Sequence, residues 1–247
     1  MSNIKPLVVF DIETTGLDKS GNNWIIQFAA IKVDRETNNV IDSINELINP
    51  PCQFNMSVGA YLKHNIHPDD LIGKPTFKEL SQRILDFFEG CDILTYNGTS
   101  FDIPFLVTEF EKAGIKWSPL DYVCYDACAE EKVRSSYKLE NAFKRYTGMT
   151  MEQAGLEAHD AYSDVKACYS VFVNQNQTAE VKPMVMITDD NSFVMDKYNG
   201  EDVVVPNFGK YRGVPLRMVN IVEPSYIRWM MAAVSEKSRE IIRRELA

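Results

Sequence analysis

Two carboxylates interrupt an apolar, β-prone run: Asp11 and Glu13 follow Leu7-Val8-Val9-Phe10 and precede the turn signal Thr14-Thr15-Gly16. Side chains on a strand alternate between faces. Val8, Phe10 and Ile12 then share one face, while Leu7, Val9, Asp11 and Glu13 share the other, with the two carboxylates side by side. Bare carboxylates placed so close repel one another. A divalent cation removes the repulsion, and hard oxygen donors on a rigid strand suit Mg²⁺ or Mn²⁺. The plainer reading is a strand end that reaches solvent, where acids are common. Spacing alone leaves both open.

Three further side chains can join this pair. Asp102 stands where Tyr96 to Phe101 meets a helix, and its plain reading is an N-cap or first-turn acid favoured by the helix dipole. His159 and Asp164 lie in His159-Asp160-Ala161-Tyr162-Ser163-Asp164, where Asp160 is the better N-cap candidate, so Asp164 is free to face the sheet. His159 on the preceding loop can lean over the same place, or it can be a surface histidine; His64 and His67 are read as surface loop histidines. Together the set offers four carboxylates from three segments and one histidine. That inventory can hold two divalent ions beside a base active near neutral pH.

The elements that must position these residues follow from pattern. Leu7 to Ile12, Trp24 to Val33 and Val40 to Ile48 read as an antiparallel meander. Pro50 to Phe77 is irregular. Phe77 to Glu89 has helical spacing, Ile93 to Tyr96 is a short strand, and Asp102 to Ala113 is a helix with Pro104 in its first turn and Gly114 at its end. Val123 to Ala129 reads as a strand running into a helix, Leu139 to Tyr146 as a helix, and Ala161 to Val173 as a longer one. Three strands followed by helices and further strands imply a three-layer α/β domain. Polar Gln175 to Lys182 ends at Pro183 and reads as a linker. Beyond it, 184–188, Phe193 to Met195 and Val203 to Val205 look like a hairpin with a third strand around an Asp189-Asp190-Asn191-Ser192 turn. Two helices close the chain, with Pro224 and Ser235 at their starts.

Bulk composition narrows the function classes. A chain of 247 residues with 45% hydrophobic content is an ordinary globule rather than a disordered one. No apolar run approaches the roughly 18 residues of a membrane helix, and no basic, apolar leader opens the chain, so a cytoplasmic protein is expected. Five scattered cysteines, Cys52, Cys91, Cys124, Cys128 and Cys168, read as core thiols rather than a zinc site. The net charge of −9 argues against a nucleic-acid partner, but it is unevenly spread. Residues 1–183 carry 17 basic and 26 acidic side chains and residues 184–247 carry 9 of each, and bound cations would neutralise acids of the first part.

The runs Phe10 to Leu17, Tyr96 to Asp102 and His159 to Asp164 resemble, in order and spacing, the three exonuclease motifs of the DnaQ-like, or DEDDh, 3′-to-5′ exonucleases. The resemblance covers about residues 5–175, and His64 to Phe77 is similar to the matching loop of the proofreading subunit of bacterial DNA polymerase III. It implies a ribonuclease H-like three-layer domain with a mixed five-stranded sheet. It also implies that Asp11, Glu13, Asp102 and Asp164 hold two Mg²⁺ or Mn²⁺ ions, that His159 is the general base, and that Thr14, Gly16, Leu17, Asn97 and Phe101 contact substrate. Asp160 stands where the tyrosine subclass carries its tyrosine, so the histidine subclass fits. Gln27 departs from the glutamate that many relatives carry.

The implied activity is metal-dependent release of nucleoside 5′-monophosphates from single-stranded or frayed DNA 3′ ends, in repair or proofreading. RNA digestion of the ribonuclease T or oligoribonuclease type is the alternative, and an inactive nucleic-acid-binding module is a second. A polymerase or repair-complex partner and the oligomeric state stay open, and no membrane is expected. The domain division is 1–176 for the nuclease, 177–183 for a linker and 184–247 for a small α+β domain. That last part, through Phe208-Gly209-Lys210-Tyr211-Arg212-Gly213 and Tyr226-Ile227-Arg228-Trp229, resembles the C-terminal module of exonuclease X-like proteins. It is either a nucleic-acid clamp or a packing module whose aromatics form its core.

Overall fold

The computed structural model describes residues 4–17, 23–129, 131, 136–178, 183, 185–188, 190, 192–198 and 200–247. Strands β1 (Leu7–Thr14), β2 (Ile25–Val33) and β3 (Val40–Leu47) form the expected antiparallel meander. Helices α1 (Val58–His64) and α2 (Phe77–Phe88) follow, then β4 (Asp92–Thr95), α3 (Asp102–Ala113) and β5 (Cys124–Asp126). β4 and β5 run parallel to β1, giving one mixed five-stranded sheet in the order β3-β2-β1-β4-β5. Helices α4 (Leu139–Thr147) and α5 (Ala161–Thr178) complete the three layers.

The alternation read along β1 sorts the two cores. Val8, Phe10 and Ile12 pack with α2 and α3 on one face, while Leu7 and Val9 pack with α4 and α5 on the other. Phe10 meets Phe88 edge to face at 5.4 Å and Phe28 at 5.9 Å. Burying each such ring contributes about 1.5–3 kcal/mol, which pins the strand from beneath.

Pairing then decides where the chemistry falls. β1 pairs with β4 only through Leu7, Val8 and Val9, so its last half projects past the end of its parallel neighbour. A crevice at the carboxyl ends of strands results, the usual ligand position in open α/β sheets. On the other side the β1–β2 register shifts between Glu13 and Thr14, an irregularity of the kind that re-aims side chains.

Two expectations change. Residues 127–129, expected to enter a helix, form a turn in which the Asp126 carboxylate accepts the Cys128 N–H and the Asp126 backbone carbonyl the Ala129 N–H, each at 3.0 Å. Helix α5 continues to Thr178, past Val173 and into residues read as linker, because Gln175 is buried and its amide donates to the Ala127 carbonyl at 2.9 Å. The remaining linker positions 179–182 lie outside the described residues, as do Met184, Asp189 and Asn191 of the expected hairpin and turn.

The C-terminal part forms a separate sheet of β6 (Val185–Met186), β7 (Phe193–Tyr198) and β8 (Glu201–Pro206), all antiparallel. It is packed by α7 (Pro224–Ala233) and α8 (Glu236–Leu246), starting where expected, and by α6 (Leu216–Val222), which sequence periodicity had not separated from the preceding turn. Ser235 caps α8 by accepting the Ser238 N–H at 3.3 Å.

Candidate active site

The projecting half of β1 carries Asp11 and Glu13 into the crevice, and the first turn of α5 brings Asp164 to them. One carboxylate oxygen from each of the three lies within 4.8 Å of the others. Asp160 caps α5 by accepting the Ser163 N–H at 3.0 Å, which leaves Asp164 facing the sheet. Asp164 in turn accepts the His159 backbone N–H at 3.2 Å. His159 holds a left-handed φ of 66°, and this kink swings its ring toward the crevice.

Asp102 is not the cap of α3. It is the first residue of the helix, buried, and its Oδ1 accepts the Ile12 backbone N–H at 3.1 Å. That N–H lies beyond the reach of β4, so the carboxylate supplies the hydrogen bond that the parallel neighbour does not. Gly98 makes the approach feasible. A Cβ there would stand 2.6 Å from the Thr95 Cβ and 2.8 Å from the Asp102 Oδ2.

The turn before α3 hangs on a residue that pattern reading missed. Buried Asp126 accepts the Asn97 N–H at 2.7 Å and the Thr99 hydroxyl at 2.6 Å, and so fixes the left-handed Asn97. On the opposite rim, Thr14 donates to the Gly16 carbonyl at 2.8 Å, and Ser57 N–H donates to the Thr15 carbonyl at 2.8 Å. A Cβ on Gly16 would come 2.7 Å from the Asn23 Oδ1, so glycine lets this turn close. Leu17 emerges from it 72% exposed.

One cavity of about 480 Å³ gathers Asp11, Glu13, Asp102, His159 and Asp164, together with Thr14, Leu17, Asn97 and Phe101. Gly16 is not part of its wall and acts from behind, through the turn. The wall residues that were not foreseen include Lys63, His64 and Glu140. His64 corrects the surface-loop expectation, since it is 8% exposed at the end of α1, with Nδ1 accepting the Ile66 N–H at 3.0 Å. Burial lowers its pKa. His67 is exposed as expected and caps a short 3₁₀ turn. Glu140 of α4 stands 3.8 Å from the His159 Nε2 and can hold the ring over the crevice.

Electrostatics mark the cluster as unfinished. Burial, then Asp102 and Asp164, push the Asp11 carboxyl well above its usual range. Burial, then Asp164 and Asp102, push Glu13 up to about 8, against the lowering effect of Lys63. Burial raises Asp164 to about 7, opposed by the His159 N–H. Carboxylates in this state retain protons unless a cation replaces them, and an all-oxygen donor set fits a hard divalent ion.

Behind the site, Gln27 of β2 ties α5 to the sheet. Its amide donates to Asn45 Oδ1 at 3.0 Å and Asp160 Oδ1 at 3.2 Å, and its oxygen faces the Ala161 N–H at 3.5 Å.

The family RNase_T, described as an exonuclease, matches residues 8–172. Among curated proteins, DNA polymerase III PolC-type of Caldanaerobacter subterraneus subsp. tengcongensis is 24% identical over 77% of this chain and 13% of its own length. The chain thus spans only a small part of that polymerase. DNA polymerase III subunit epsilon of Rickettsia felis is 28% identical over 70% of this chain and 74% of its own length. Among solved structures, the E. coli ExoI–ssDNA complex superposes with a TM-score of 0.59 at 23% identity, covering 71% of this chain and 42% of that one. The nuclease domain of 3′hExo, a DEDDh family member bound to rAMP, gives 0.61 at 18% identity, covering 74% and 97%. These two likenesses establish the fold. Among the described residues no helix is long and apolar enough to cross a membrane.

Proposed function

Because the chain belongs to the RNase_T exonuclease family, the DnaQ-like or DEDDh 3′-to-5′ exonucleases, we propose that its crevice removes nucleoside 5′-monophosphates from the 3′ ends of single-stranded or frayed DNA. The observation that carries this reading is the convergence of Asp11, Glu13 and Asp164 within 4.8 Å, with Asp102 and His159 on the same wall. Such a cluster is stable with a bound cation and strained without one. Asp11, Glu13, Asp102 and Asp164 would hold Mg²⁺ or Mn²⁺, two ions by analogy with the family. When bound, the ions supply Lewis-acid activation of the attacking water and stabilisation of the leaving 3′ oxygen.

The chain's own groups do the rest. His159 takes the proton of the attacking water, with Glu140 orienting the imidazole. Asp102 locks α3 to β1 through Ile12, so the two acidic elements keep their spacing while charge develops. Leu17 and Phe101 provide apolar contact with the terminal bases, which tolerates any sequence. Asn97 and Thr14 offer polar contacts on either rim. A duplex end must fray before its 3′ strand enters, so single strands and mismatched ends are preferred.

DNA and a polymerase partner are favoured by relatives named as DNA polymerase III and its subunit epsilon, and with them we propose a proofreading or repair role. The 3′hExo likeness keeps RNA as the second substrate to test. We read the chain as a cytoplasmic nuclease domain that ends with α5 at Thr178, followed by a separate domain of 184–247. The test is a Mg²⁺ time course on matched DNA and RNA single strands labelled at the 5′ end, beside Asp11→Ala. A ladder that shortens from the 3′ end, absent in EDTA and in the variant, supports the site, and the faster sugar names the substrate. No shortening of either strand by the wild type would overturn it.

A further inference from the structure

The catalytic cavity does not end at Leu17. That side chain also borders a second groove of about 740 Å³, walled by Ser100 and Pro104 beside Phe101 and, from the C-terminal part, by Phe208 and Trp229. Its size falls in the roughly 300–1,000 Å³ range of sites that take organic ligands. Most aromatics of the C-terminal part are packing groups: Phe208, Tyr211 and Tyr226 lie partly buried against its core. Trp229 differs, because it is 51% exposed while backed at 4.9 Å by Tyr226 and at 6.1 Å by Phe208. The rings behind it are themselves fixed. Lys210 N–H donates to the Tyr226 hydroxyl at 2.9 Å, and Gly209 has a left-handed φ of 70° at a place where a Cβ would overlap that hydroxyl. An indole held rigidly from behind and open in front is a preorganised stacking surface.

We propose that a single strand whose 3′ end occupies the catalytic cavity continues past Leu17 and stacks an upstream base on Trp229; this rests on the nuclease reading above. Single-stranded nucleic acid is the occupant because Leu17 lines both the groove and the catalytic cavity, and because the groove presents an exposed indole backed by aromatic rings. Two of its three acids are engaged within the C-terminal part, where Asp190 accepts the Ser238 hydroxyl at 2.9 Å and Glu236 pairs with Arg239 at 2.9 Å and Arg243 at 2.8 Å; Glu111 and Lys237 also line the wall. The contribution of Trp229 itself is stacking.

Stacking of one base on an aromatic ring is worth about tenfold in affinity. The experiment compares kcat/KM for a long DNA single strand and for a dinucleotide in the full-length wild type, Trp229→Ala and Trp229→Tyr. The wild-type preference for the long strand should fall about tenfold in Trp229→Ala and return in Trp229→Tyr, with the salt dependence of strand binding unchanged. A drop equal on both substrates would mark Trp229 as a packing residue and overturn the proposal, as would an unchanged preference. Blunt duplex bound more tightly than single strand by the wild type would overturn it too. If the wild type hydrolyses neither substrate, the nuclease reading fails. Fluorescence anisotropy of the long strand in EDTA then still decides the groove, with binding about tenfold weaker in Trp229→Ala expected and equal binding refuting it.

Discussion

Glu13 offers a measurement that needs no substrate. Its carboxyl is raised from 4.5 to about 8, by burial first and then by Asp164 and Asp102. An acid raised on folding keeps a proton that the unfolded chain has released. Its stabilising effect is complete below about 4.5 and is lost as pH climbs through about 8. One such group changes stability by at most about 1.4 kcal/mol per pH unit. Between about pH 6 and about pH 8 the ceiling is about 3 kcal/mol; solvent in the open crevice screens this to about 1–1.5 kcal/mol. In a chain of this size each kcal/mol moves the melting midpoint by about 2–4 °C. Glu13→Gln keeps the shape and removes the titration. In EDTA, circular-dichroism melts should therefore show the wild-type midpoint falling by about 2–6 °C relative to the variant over that range. Excess Mg²⁺ or Mn²⁺ should close the gap at the alkaline end, because a cation replaces the proton. Parallel midpoints across pH, or an equal metal shift in both proteins, would refute this account of the cluster.

Three other outcomes test separate parts of the site. His159→Ala should lower kcat by about 10²–10⁴ while keeping the metal-induced rise in melting midpoint; loss of that rise would recast His159 as a scaffold for Asp164. Gly98→Ala should destabilise the fold by about 1–3 kcal/mol, because the new methyl meets Thr95 and Asp102, and a wild-type melt would show that the turn yields. Asp126→Ala should raise KM for single strands and cost about 1–3 kcal/mol, since it removes the acceptor that the carboxylate supplies to the Asn97 and Cys128 N–H groups. An unchanged KM would remove Asn97 from the substrate path.

Local pattern made much of this legible. The two faces of β1 and the limits of α3 at Asp102 and Ala113 come from alternation and from a Gly114 stop, both of which act within a few residues. What stayed hidden depends on partners far along the chain. His64 is buried because Ser57, at the start of α1, is tied to the Thr15 carbonyl, and no periodicity encodes that crossing. Gln175 reads as linker until Ala127 is seen beside it. Asp126 looks like a strand-end acid until the turn at Asn97 folds onto it. Asp102 reads as a cap or first-turn acid and is the second, but its bond to the Ile12 N–H, 90 residues away, is not encoded locally.

The Gln27 clasp bears on the range of conditions in which the site keeps its shape. An amide can donate to Asp160 and receive from Ala161 in one fixed charge state. A glutamate in its place would set two acids face to face and align the start of α5 only while they shared a proton. With glutamine, the alignment of Asp164 and His159 is uncoupled from that proton.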